Sequence, residues 1–209
     1  MLGCAAMRAR RPQLARGLAA FALGALLAFL GVPVGVPVGV PAGLPASPAA
    51  AQPAPDDALV SQVRQLLSGV EAVPPAATWR ALGSGGLRAL VALYQSPTEP
   101  PFVRARAVSA AAHYPVPAAR TFLKAVAGAP GQDALFVRRA VRALGAAFGA
   151  QAEADLRPYL AHPAPAVRVA AARALAPIDT PSARAALRER RRVERARSVR
   201  EALDAALTR

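Results

Sequence analysis

From Ala58 onward, apolar residues recur at helical spacing. Val137, Val141, Leu144 and Phe148 fall at steps of four, three and four, which is one face of a 3.6-residue period. The pair Val-Arg opens an Ala-rich segment of this kind four times, at Val103-Arg104, Val137-Arg138, Val167-Arg168 and Val199-Arg200, with spacings of 34, 30 and 32 residues. In the first three copies an apolar residue follows eleven positions on (Tyr114, Phe148, Ile178), and a Leu at nineteen or twenty (Leu123, Leu156, Leu187). A period of thirty-odd residues is the mark of stacked repeats. Each unit predicts two helices, the second opening after Val116-Pro117, Gln151-Ala152 or Thr180-Pro181. Pro is tolerated in a first helical turn because the N–H it lacks would have no partner there.

Pro97, Pro100, Pro101, Pro130, Pro163 and Pro165 punctuate the gaps between units. They divide the chain into a degenerate first unit, Ala58–Gln95, with helices near 58–70, 76–82 and 86–95. Clearer units follow at 101–127, 133–161 and 165–191, then a closing helix over Val193–Leu207. Asp56 and Asp57 are good N-caps for the first helix, and Ser84-Gly85-Gly86 reads as the most flexible interior joint. Composition agrees with an all-α chain. Hydrophobic residues make up 54% but aromatics only 5%, so Ala, Leu and Val must supply the packing. Leu82, Leu90, Leu144, Phe148, Leu175 and Leu187 are expected to carry most of the stability.

Residues 1–51 read differently. Arg8, Arg10, Arg11 and Arg16 precede an uncharged apolar run, Gly17 to Leu30, the pattern of an export signal. A four-residue Gly/Val/Pro/Ala repeat follows, and Pro33, Pro37, Pro41 and Pro45 must stop helix near Gly31. The helix left is shorter than the roughly 20 residues a comfortable span needs, which favours a signal peptide over a signal anchor. Ala49-Ala50-Ala51 fits a small-x-small cleavage site, although it lies far from the apolar run. Met7 is an alternative start that keeps the signal complete. The expected organisation is therefore a leader with low-complexity linker at 1–51, a linker at 52–57 and a helical repeat domain at 58–209. The expected location is periplasmic or extracellular, or anchored in the inner membrane if the signal is not cleaved.

The Val-Arg, Ala-Ala, Ala-Leu pattern, as in VRVAAARALA at Val167–Ala176, resembles the HEAT-like repeat family, in particular the short variety of bilin-lyase-type proteins. The resemblance implies an α-solenoid, a right-handed superhelical stack of antiparallel helix pairs. It also implies that second helices line the inner face, and that an acid a few residues before Val-Arg pairs with an Arg. Glu99 and Asp133 precede two copies, but 161–166 holds no acid, so that ladder is incomplete. Stacking is required physically as well, because one Ala-rich helix pair cannot bury enough surface to fold alone.

Charge then singles out a surface. Basic residues number 26 against 12 acidic, net +14, and all but Lys124 are Arg. Losing the four leader arginines would still leave about +10. On the second helices the polar positions are Arg88, Arg120, Lys124, Arg157, Arg184 and Arg188. Arg120/Lys124 and Arg184/Arg188 stand at equal offsets, seventeen and twenty-one, from their Val-Arg pairs. Spacing of four keeps each pair on one helix face, so stacking predicts a basic stripe suited to an acidic protein or an anionic polymer. Arg104, Arg138, Arg168 and Arg200 are expected to cap or bridge neighbouring units. In Arg188–Arg197, Glu189 can pair with Arg192 and Glu194 with Arg197.

No reactive constellation emerges. One Cys excludes an intrachain disulfide and a Cys-built zinc site, and His113 and His162 lie 49 apart. Glu153 and Asp155 point apart at i,i+2. No cofactor, metal or catalytic residue is expected. Nucleic acid is disfavoured, since the few aromatics fall at core spacings. The expected function is a non-catalytic binding or scaffold module with a basic surface. The alternatives are a salt-insensitive assembly subunit and, behind it, a bilin-lyase-type enzyme.

Overall fold

The computed structural model describes residues 56–69 and 74–208, and the leader, its cleavage site and the linker through residue 55 lie outside them. These residues fall in one compact unit, 50–209. They form helices α1 (Asp57–Ser68), α2 (Ala76–Ala81), α3 (Gly83–Gln95), α4 (Pro101–Ala110), α5 (Pro117–Gly128), α6 (Ala134–Phe148), α7 (Glu153–Leu156), α8 (Pro165–Leu175), α9 (Pro181–Val193) and α10 (Arg197–Leu207), with short 3₁₀ turns and, among the described residues, no strand. Helix starts follow their capping chemistry. The carboxylates of Asp56 and Asp133 accept from the N–H groups of Ala58 and Leu135 at 3.0 and 2.7 Å. The Thr180 hydroxyl accepts from Ala183 N–H at 3.0 Å with Pro181 just inside the helix.

The Val-Arg helices α4, α6, α8 and α10 pack side by side in chain order. Behind them, α3 packs on α4, α5 on α6, and α9 on α10. Between the two layers lies a continuous Ala/Leu/Val interior. Leu90, Leu144, Leu175 and Leu187 are fully buried, whereas Leu82 and Phe148 pack on the core from partly exposed positions. Helices α6 and α8 approach closely at Gly145. A Cβ on Gly145 would stand 2.7 Å from Ala174 Cβ, so only glycine fits there.

Two sequence expectations change. The second element of the third unit is not one helix but 3₁₀ turns flanking the single turn α7. Gly149 starts it at φ +50°, and Pro158 withholds an N–H inside it. The expected joint Ser84-Gly85-Gly86 lies inside α3, which begins at Gly83. A Cβ on Gly86 would clash with Tyr114 Oη and stand 2.8 Å from Leu82 Cβ, so this glycine serves close packing.

Candidate functional site

The deepest polar contact joins two units. Arg168, the Val-Arg arginine of α8, donates from Nε and Nη2 to the two oxygens of Glu194 at 2.8 and 2.9 Å. Its Nη1 donates to the carbonyls of His162 and Pro163, both at 2.8 Å. Glu194 in turn accepts from the N–H groups of Arg195 and Ala196 just before α10 and from Arg190. Its side chain is 1% exposed. The Arg168 fork, against the cost of burial and helped by the Ala196 N–H and Arg190, holds the carboxyl at about 2. The expected Glu194–Arg197 pair is thus replaced, and Arg197 bonds Glu201 instead. Toward the other end, Arg64 Nε donates to buried Glu99 at 2.7 Å. Val63-Arg64 is a further Val-Arg pair, outside the thirty-odd-residue period because it lies 40 residues before Val103.

The other Val-Arg arginines differ. Arg104 donates to the Tyr94 carbonyl at 2.8 Å and lies over the rings of Tyr94 and Phe136, 5.4 and 5.2 Å from their centroids. Asp133 caps its own helix. Arg138 and Arg200 have no ion pair or side-chain hydrogen bond among the described residues.

The structure gives the six stripe residues unequal surroundings. Arg120 and Lys124 both bond Asp155 of α7, at 2.7 and 2.8 Å. Burial pushes that carboxyl up, but Lys124 and Arg120 outweigh it and hold it below its usual range. Arg184 pairs with Asp179, a residue at φ 53°. Arg157 donates to Ser182 at 3.1 Å, while the neighbouring Glu153 accepts from Thr180. Arg88 has a buried Nε without a partner, and Arg188 is exposed and unpaired among the described residues. Half of the predicted stripe is therefore compensated by carboxylates that lie one unit on or one turn back.

In the opposite layer Arg168 is compensated by Glu194, but the other arginines of α4, α6 and α8 pair with no carboxylate among the described residues. Helices α4, α6 and α8 carry Arg104, Arg106, Arg138, Arg139, Arg142, Arg168 and Arg173 and contain no Asp or Glu. Within this layer a cleft of about 180 Å³ opens between α4 and α6, lined by Ser109, Ala112, Arg139, Arg142, Ala143 and Ala146. Its small residues recur at repeat offsets six and nine, which leave room between first helices. Arg139 has its Nε shielded from solvent without a hydrogen-bond partner. Burial, then the like charges of Arg138, Arg142 and Arg106, push its guanidinium down. Arg106 comes from α4, where its Nη1 also closes the end of α1 by donating to the Leu67 and Gly69 carbonyls at 2.6 and 2.7 Å. Phe102, one turn earlier on α4, is 51% exposed and stacks with Arg106 at 5.8 Å. Among the described residues no group of three or more His, Cys, Asp or Glu is placed to hold a metal. No helix there is long and apolar enough to cross a membrane.

Helix pairs in two layers, tied unit to unit by guanidinium–carboxylate bridges, define an α-helical repeat protein. Residues 131–208 match the family model described as HEAT repeats, which supports the likeness carried by the Val-Arg segments. Such repeats generally form scaffolds for protein interaction. A comparison with curated proteins finds no match.

Proposed function

We propose that this protein is an exported, non-catalytic scaffold that binds an acidic protein partner through the first-helix layer. One observation carries the reading: α4, α6 and α8 hold six arginines outside any carboxylate pair among the described residues, Arg104, Arg106, Arg138, Arg139, Arg142 and Arg173, and contribute no Asp or Glu of their own. Such a surface attracts acidic segments over a distance and fixes them with forked hydrogen bonds. Half-exposed Phe102 beside Arg106 supplies an aromatic anchor of the kind that concentrates binding energy. On the second-helix layer, Arg88, Arg157 and Arg188 remain available to extend the contact, while Arg120, Lys124 and Arg184 are engaged by carboxylates. Export rests on the pattern of residues 8–30, and the same pattern, if uncleaved, ties the scaffold to the inner membrane.

The test is capture from an envelope fraction with the full chain, followed by affinity measurements on the recovered partner. Affinity is expected to fall steeply with salt. Replacing Arg138, Arg142 and Arg173 by Gln should weaken it by about tenfold or more. The same number of changes at Arg157, Arg188 and Arg192 should do less. Salt-insensitive association, unchanged by either set, would favour an assembly subunit that docks through apolar surface.

A further inference from the structure

In this fold, arginine meets carboxylate by its Nε edge. Arg168 presents Nε and Nη2 to the two oxygens of Glu194. Arg191 presents the same pair to Asp204, and Arg64 uses Nε on Glu99. Arg139 lines the α4–α6 cleft, and its Nε, shielded from solvent, has no acceptor. An orphaned charged donor of this kind is costly, since removal from water is not repaid by a partner. Three further guanidiniums, Arg106, Arg138 and Arg142, act on Arg139 and raise that cost. Neither helix flanking the cleft holds an acid that offsets them. Ser109 spends its hydroxyl hydrogen on the Ala105 carbonyl at 3.1 Å, so the donors in the cleft are guanidiniums. The remaining walls are the methyl groups of Ala112, Ala143 and Ala146. Donors at one side and methyl walls around them suit a group with two oxygens at the end of a short apolar stem.

We infer that the α4–α6 cleft is a carboxylate-binding site, in which the guanidinium of Arg139 holds a Glu or Asp side chain of an acidic segment while Ala112, Ala143 and Ala146 pack on its methylenes. The site deepens the scaffold reading and rests on it. Arg142 and Arg138 supply surrounding charge, and Arg106 holds the cleft wall by its tie to the end of α1.

The probe is a fluorescent oligoglutamate peptide titrated into the full chain at about 150 mM ionic strength. Arg139→Lys keeps the charge but removes the guanidinium's planar donor set, and is expected to weaken binding by about tenfold. Ala143→Leu fills the cleft without changing charge and is expected to weaken it comparably, which covers the case in which Arg139→Lys fails to fold. The control Arg192→Gln/Arg195→Gln/Arg197→Gln removes three charges elsewhere and should change affinity by less than about twofold. If the control weakens binding while Arg139→Lys and Ala143→Leu do not, charge alone is at work and the cleft is not a site, although the scaffold reading stands. Inorganic phosphate displacing the peptide far better than acetate at equal ionic strength would also overturn the carboxylate assignment. If the peptide and the captured partner both bind without regard to salt, it is the scaffold reading that fails.

Discussion

Glu194 shows how one side chain can join two repeats. It is almost wholly buried, yet its hydrogen-bond partners are all donors: the Arg168 fork, Arg190, and the two backbone N–H groups just before α10. Its carboxyl therefore sits at about 2 in the folded chain, against an ordinary 4.5. The folded value is depressed, so the stabilisation is complete above about pH 4.5 and disappears as pH falls toward 2. A difference of that size corresponds to roughly 3 kcal/mol. Glu194→Gln should cost a similar amount at neutral pH, because it leaves Arg168 buried without its counter-charge. Urea unfolding from pH 7 down to 2.5 is expected to show the acid-linked loss in the native chain and a flatter profile in the variant. Equal slopes would show that the bridge contributes little. Arg168 itself was readable as a bridging arginine from its Val-Arg position. Its partner was not, since Glu194 stands five residues before Val199 where Glu99 stands four before Val103. A one-residue shift hides a repeated function when the intervening loop differs in path.

At the scale of elements, the helix boundaries were legible because their signals are local. Thr180-Pro181, Asp133 and Asp56 start helices where capping chemistry says they should. Glycine was less legible, since its meaning depends on what approaches it. Ser84-Gly85-Gly86 reads as a hinge but is helix pressed against Tyr114 and Leu59. Gly145 is a similar case within α6. Replacing it by Ala would gain about 1 kcal/mol of helix propensity in isolation. The new Cβ, however, would meet Ala174 Cβ at 2.7 Å and Ala174 Cα at 3.2 Å, and backbone cannot turn aside as a long side chain can. The helices must separate, which costs about 1–3 kcal/mol by overpacking. Gly145→Ala is therefore expected to lower the thermal midpoint despite the better helix former. A raised midpoint would mean that α6 and α8 slide apart without loss.

Across the whole described domain, the repeats share one interior, so damage at one end should be felt at the other. The single Trp, Trp79, is buried in the first unit and stacked on His113 at 6.0 Å, far in sequence from α8. Leu175→Ala removes a fully buried side chain from α8 and should cost about 2–5 kcal/mol. If the stack unfolds as a unit, Trp79 fluorescence and helical circular dichroism will shift together, whereas separate transitions would show independent repeats. The stacking was legible in the thirty-odd-residue period. The placement of charge was not, because sequence offsets reveal that Arg120 and Lys124 share a face but not that Asp155 of the next unit lies between them. Absence of acids from α4, α6 and α8 was in plain view, yet it gained meaning only once those helices were seen to lie side by side. The most direct test of the interaction face is arginine-selective phenylglyoxal labelling of the full chain with and without its captured partner. Arg138, Arg142 and Arg173 are predicted to be protected by the partner while Arg192 and Arg195 label as before; protection confined to Arg157 and Arg188, with the first-helix arginines unchanged, would contradict the account.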